Sequence, residues 1–478
     1  MAFKTAAEAA AILESLEKEK KLFSIRVDGI AVWQLFRFNA SLALQDINVT
    51  PHSVNRLAGM GNLFRWFLRD CLTLLPGRQA YYFFVNAHSV QVAFPQGKYG
   101  DKHFAQLLSQ MEKSVYVTSS PREPAVYPTQ NPPAFSFSIP LLYAMSMKRL
   151  RRASPPIRQA ATQLREALSE IDELSHFDER FLCTVIDGFF LERKCWLWIL
   201  KRFGDPFVVV ADTGSYSLAS AAAIRGTRIA ELQHGLVGPT HPCLIPVEVT
   251  PSPDGLICRD ALILNGKHWL DLLENRQWHS VRSMVAAGSP WLEMFRNISE
   301  ARQDRPENMV LCTLQGIESQ KFLEFVRSAL DIAGESTIAI VIKLHPLRPH
   351  ERELAEDVFR GYQNITILAG DEGPSTHELL TQASLHLSIS SATHYDALAI
   401  GTPTCIIPLA THDAINDLID SGLAMLASNP TMLAQAFGTK QERLTPEFRE
   451  KFCSPGALDA LCRELRNIYK NSPCRRVD

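Results

Sequence analysis

Apolar residues along the chain gather into short β-rich runs separated by stretches of helical spacing. Gln79-Ala-Tyr-Tyr-Phe-Phe-Val-Asn, Lys113-Ser-Val-Tyr-Val-Thr, Pro206-Phe-Val-Val-Val-Ala and Arg228-Ile-Ala-Glu-Leu read as strands in the first 300 residues. Shorter runs at 255–258 and 261–264 and the segment Met284-Val-Ala-Ala continue the series, with helices expected at 104–111, 157–174, 176–200 and 217–225. That alternation predicts parallel α/β structure. The stretch Ser299-Glu-Ala-Arg-Gln-Asp-Arg-Pro-Glu-Asn then carries charge without large apolar groups, and Met309-Val-Leu-Cys-Thr-Leu starts a fresh strand. Two α/β domains are expected, 1–300 and 301–478, facing across a cleft, with terminal helices within 445–469 packing back on the first.

The second half holds the most concentrated signal. Leu385, Leu387 and Ile389 mark a strand that runs into Ser390-Ser391, and Tyr395, Ala397, Leu398 and Ile400 follow at helical spacing until Gly401. Hydroxyls and free backbone N–H groups at a helix start, just past a strand end, suit an anion, while serine is equally a preferred helix cap. Upstream, Thr337-Ile-Ala-Ile-Val-Ile-Lys-Leu-His-Pro is a strand ending in Lys343 and His345, with Arg348 just beyond. Three donors within six residues form a second candidate anion contact. In the first half, Gln233-His234-Gly235 and Asp212 each follow a strand, where open α/β sheets bind ligands.

Composition narrows the function. With 49 Lys+Arg against 51 Asp+Glu the net charge is −2, which gives no global attraction to nucleic acid. No apolar run approaches the ~20 residues that span a bilayer, and the N-terminal stretch has no signal-like core, so a cytoplasmic protein is expected. The run Lys148-Arg149-Leu150-Arg151-Arg152 suits either a solvated helix end or a peripheral contact with anionic lipid on the inner membrane face. Ten cysteines contain no Cys-x-x-Cys pair, Asp-x-Asp is absent, and no metal site or cofactor is expected. The absence of Walker, Gly-x-Gly-x-x-Gly, His-Glu-x-x-His and Gly-x-Ser-x-Gly motifs removes most support for kinases, dehydrogenases, zinc proteases and serine hydrolases.

Gln233-His234-Gly235, Lys343-x-His345-Pro346 and Ser390-Ser391 followed by Tyr-Asp-Ala and Gly-Thr-Pro together resemble bacterial GT-B transferases of surface-polysaccharide synthesis. Such enzymes have two Rossmann-like domains facing across a cleft. A His-Pro motif with a downstream serine pair is similar to sialyltransferases, Kdo transferases and polyol-phosphate transferases that use CMP- or CDP-linked donors. The resemblance implies donor-phosphate contacts at His345, Ser390 and Ser391 and a base or ribose contact at Glu378. It also implies capsule or O-antigen chemistry, because Glu-Leu-Gln-His-Gly followed by His241-Pro242 and Pro253-Asp254, and the early Asp28-Gly-Ile-Ala-Val-Trp, look like proteins of that group. The chain departs from the sialyl- and Kdo-transferases in their Glu/Asp-Asp-Gly motif, to which only Ile186-Asp187-Gly188 and Pro253-Asp254-Gly255 come near.

The expected activity is metal-independent transfer of a sugar, Kdo or sialic acid from a CMP donor, to a lipid-linked or oligosaccharide acceptor. Lys343, His345, Ser390 and Ser391 would neutralise the leaving phosphate. His234 or Asp212 would act on the acceptor as base, or Asp212 as nucleophile, with Gln233, Gly235 and His241 lining the cleft. A CDP-polyol phosphotransferase and a non-catalytic nucleotide- or glycan-binding protein are the alternatives.

Overall fold

The computed structural model describes residues 4–47, 67, 70–71, 79–86, 91–94, 99–118, 134–136, 138–150, 153–211, 215–302, 308–334, 338–346, 348–369, 372–439 and 444–470. The fold is α/β with two parallel sheets. One compact unit comprises Ala9–Leu264, Trp269–Ala287 and Leu458–Asp478, and the other Met1–Glu8, Asn265–His268 and Gly288–Ala457. The helix Pro290–Ala301 packs against the helix Thr393–Ile400, so the division falls before it rather than after residue 300.

Among the described residues, the main sheet of the larger unit holds seven strands: β1 (Tyr82–Asn86), β2 (Ser114–Thr118), β3 (Ala134–Ser136), β4 (Phe207–Val210), β5 (Ile229–Leu232), β6 (Ala261–Leu264) and β7 (Met284–Ala286). They pair in parallel in the order β7-β6-β5-β4-β1-β2-β3. The strands are continuous apolar runs because both faces are covered. Phe83, Val85, Val208 and Val210 join the core under the helices Ala6–Glu19, Pro155–Leu168 and Glu179–Arg202. Their alternates Tyr82, Phe84, Phe207 and Val209 pack on the other face with Leu461, Cys462 and Leu465 of the terminal helix Ala457–Lys470.

No strand forms at 255–258. The Gly255 carbonyl accepts from Ala31 N–H at 2.9 Å, and Ile257 N–H donates to Gln34 Oε1 at 3.1 Å. Those backbone groups are spent on loop partners instead of a ladder.

The second unit carries β8 (Met309–Thr313), β9 (Ala339–Lys343), β10 (Ile365–Leu368), β11 (Leu385–Ser388), β12 (Thr404–Ile406) and β13 (Met425–Leu426). Their parallel order is β10-β9-β8-β11-β12-β13. Numbered within this sheet, that is 3-2-1-4-5-6, the order of a doubly wound nucleotide-binding sheet. Val310, Cys312, Ile340, Ile342, Leu385, Leu387 and Cys405 build an apolar core on one face. Between the two sheets and their helices, the described residues include no helix long and apolar enough to cross a membrane.

Candidate functional site

A doubly wound sheet opens a crevice where the chain order reverses, because the connections from the two central strands depart to opposite sides. In the second unit that point lies beyond the C-terminal ends of β8 and β11. A cavity of about 260 Å³ opens there, lined by Thr313, Leu314, Gln315, Ile317, Lys343, Leu344, His345, Pro346, Thr376, Ser391 and Thr393. Three of the sequence-expected donor contacts, Lys343, His345 and Ser391, converge on it.

Lys343 is the last residue of β9 and pairs in register with Thr313 of β8. Only 4% of it is exposed, and its Nζ donates to the Glu372 carbonyl at 2.6 Å. That bond fixes the amino group in the cavity wall, largely removed from water. His345 follows two residues later. Burial, with the Arg348 guanidinium nearby, pushes its imidazole below the ordinary value. Arg348 lies across Gly316, where a Cβ would come within 2.9 Å of Arg348 Nε and where φ is +76°. Glycine is required there by both the turn and the close approach.

The serine pair divides. Ser391 lines the cavity, and its Oγ accepts from Thr393 N–H at 3.2 Å and donates to Thr393 Oγ1 at 2.9 Å. It stands just before Thr393–Ile400, a helix whose N-cap is Ala392 and which ends at Gly401 with φ 97°. Ser390 is buried instead, with its Oγ bonded to Thr411 Oγ1 at 2.7 Å and its N–H donating to Gln315 Oε1 at 2.8 Å. It is not among the cavity-lining residues. Glu378 lies on the short helix Thr376–Leu380, whose cap Ser375 accepts from Glu378 N–H at 3.2 Å; the cavity is lined by Thr376 from that helix and not by Glu378.

Sequence reading missed Thr313, Gln315, Thr376 and Thr393. Gln315 was findable as a polar residue between a strand end and Gly316, but its bond to Ser390 joins segments 75 residues apart.

The polar groups of the larger unit form a tighter arrangement. Gln233 is buried and donates to the Gly235 carbonyl at 3.1 Å. Half-buried His234 places Nδ1 4.0 Å from Glu231 Oε1, and the other oxygen of that carboxylate meets Arg259 Nε at 3.2 Å. Gly235 has ordinary backbone with open space where a Cβ would project. His241 lines a pocket of about 20 Å³ with Glu231, Tyr216 and Arg259, room for a single water. Burial, reinforced by His234 and Arg37, pushes its imidazole down to about 3.

Arg37 is itself held by Glu17 at 2.6 Å and donates to the carbonyls of Pro242 and Leu244, both at 2.7 Å, so it clamps the His241 loop. Asp212 and the side chains of the basic run 148–152 lie outside the described residues. Asp187 is buried in the middle of Glu179–Arg202, and Asp254 is exposed in a turn.

No protein-family model and no curated protein matches the chain. Solved structures with similarity include a UDP-GlcNAc 2-epimerase from Neisseria meningitidis bound to UDP-GlcNAc, at 15% identity over 82% of this chain and 100% of that one, with a TM-score of 0.44. MurG from Acinetobacter baumannii is 14% identical over 81% and 99%, with a TM-score of 0.44. A glycosyltransferase from Rickettsia africae is 10% identical over 82% and 98%, with a TM-score of 0.46.

Proposed function

We propose that the protein is a glycosyltransferase whose nucleotide-sugar donor seats its phosphate in the cavity beyond β8 and β11. The observation that carries this reading is the buried Lys343 amino group, facing the switch point of a doubly wound sheet beside His345 and Ser391. Fixed donors in a partly dry site stabilise charge that develops on a leaving phosphate. His345, held neutral by its surroundings, gains a proton most readily when an anion arrives. The motif pattern favours a CMP-linked acidic sugar, Kdo or sialic acid, and a lipid-linked or oligosaccharide acceptor. His234 is the proposed base and Asp212 its rival. The run 148–152 is proposed to rest against anionic lipid at the inner membrane face.

The test is release of CMP, CDP or UDP from a panel of donors, with binding followed in parallel. Slow hydrolysis of one donor supports the transferase reading and identifies the nucleotide. Saturable binding of a donor with no turnover of any donor in the panel refutes it and leaves a nucleotide-binding protein.

A further inference from the structure

One face of the second sheet carries a group of buried polar side chains. Leu385, Leu387 and Cys405 fill the apolar core, while their alternates His386, Ser388 and Thr404, with Thr313 on the neighbouring strand, are all at least nine-tenths buried on the opposite face. His394 of the covering helix is equally buried. Thr313, His386, Thr404 and His394 form a chain of hydrogen bonds that begins at the cavity wall. Thr313 Oγ1 meets His386 Nε2 at 2.9 Å, His386 Nδ1 meets Thr404 Oγ1 at 2.9 Å, and Thr404 Oγ1 meets His394 Nδ1 at 2.5 Å.

Complete burial keeps both imidazoles neutral, so each ring carries one N–H. With the 3.4 Å bond from Thr404 Oγ1 to the His386 carbonyl left unused, two arrangements of the same four protons make all three contacts. In the first, Thr404 donates to His394, His386 donates from Nδ1 to Thr404, and Thr313 spends its proton on His386 Nε2. Thr313 then shows the cavity only lone pairs. In the second, His394 donates to Thr404, Thr404 donates to His386 Nδ1, and His386 Nε2–H donates to Thr313, whose own proton is left for the cavity. A phosphate oxygen offers acceptors alone, so only the second arrangement allows a favourable contact.

We propose that Thr313 is a ligand-contacting hydroxyl of this cavity and that His386 is the positioning residue that makes it a donor. The inference rests on the anion-binding reading of the cavity and adds a specificity rule: when an oxyanion is bound, His386 is the Nε2–H tautomer. For that tautomer Thr404 donates to His386 Nδ1 and His394 Nδ1–H donates to Thr404, which draws the one His394 ring proton away from the Ser388 and Ile389 carbonyls.

The experiment is nitrogen-15 NMR of the full chain labelled at histidine, with inorganic phosphate as the probe. The His386 signal is identified by its loss in His386→Gln or, should that variant not fold, by its proximity to a labelled Thr404 methyl group. Phosphate-bound protein with His386 protonated at Nε2 supports the proposal, and protonation at Nδ1 in the bound state overturns it. Thr313→Val should weaken phosphate binding roughly tenfold or more, with Thr313→Ser restoring it; unchanged affinity in Thr313→Val also overturns it. Lys343→Met separates the two readings, because phosphate that binds wild type but is insensitive to Lys343→Met, or that does not bind at all, removes the cavity assignment itself.

Discussion

Acidification should unfold the second unit through the histidines buried in its sheet. The ring of His394 is pushed down to about 3, and that of His386 lies well below its ordinary value, both because burial excludes the charged form. An unfolded chain protonates the same rings near about pH 6.5. Below that pH the unfolded state therefore binds more protons than the native state, and stability falls as pH falls. The His394 ring withdraws about 1.4 kcal/mol per pH unit, so it alone removes about 2–3 kcal/mol between roughly pH 6.5 and 4.5, and His386 acts in the same direction. That is a sizeable part of the whole stability of many domains, about 5–15 kcal/mol. Urea titrations followed by tryptophan fluorescence and circular dichroism at a series of pH values measure the slope. His394→Gln should reduce it by close to one proton. A urea midpoint that stays level from pH 7 to 5, or histidine NMR showing either ring protonated in the native protein near pH 6, refutes the reasoning.

Three further perturbations separate structural from functional roles. Ser390→Ala strands the buried Thr411 hydroxyl and should cost about 1–3 kcal/mol in a denaturant titration without changing nucleotide affinity, whereas Ser391→Ala should weaken affinity roughly tenfold. Gly401→Ala forces a Cβ to within 2.8 Å of Arg449 Cδ at φ 97° and should destabilise the second unit by about 1–2 kcal/mol, measured as a lower melting temperature. His234→Ala should lower turnover by roughly 10²–10⁴-fold with little change in melting temperature; normal turnover with a collapsed melting temperature would make this histidine structural.

Legibility in the sequence followed the physics of each element. Pro206-Phe-Val-Val-Val-Ala announces a strand buried on both faces, and Tyr395, Ala397, Leu398 and Ile400 announce their helix by apolar residues at helical spacing, although the helix is buried almost all round. Lys343 and His345 were readable because a strand that ends in charged groups places them at the sheet's rim. The alternation Leu385-His386-Leu387-Ser388 looks like a strand with one wet face. Both faces are in fact buried, since the polar side chains satisfy one another across strands that are distant in sequence. Residues 255–258 show the converse: their apolar character is real, but their hydrogen bonds go to Ala31 and Gln34, more than 200 residues away. The split between Ser390 and Ser391 was equally hidden, because it depends on Gln315 and Thr411 drawing one serine inward.

The central claim is that a donor phosphate occupies the cavity beyond β8 and β11, and calorimetry with a panel of CMP-, CDP- and UDP-linked sugars tests it most directly. Wild-type protein, Lys343→Met and His345→Ala would be compared, with urea midpoints confirming that each variant is folded. Loss of one charge-assisted contact, about 1.5–3 kcal/mol, predicts affinity weaker by roughly ten- to a hundredfold in each variant for whichever donor binds. A donor that binds wild type and both folded variants with equal affinity would contradict the account.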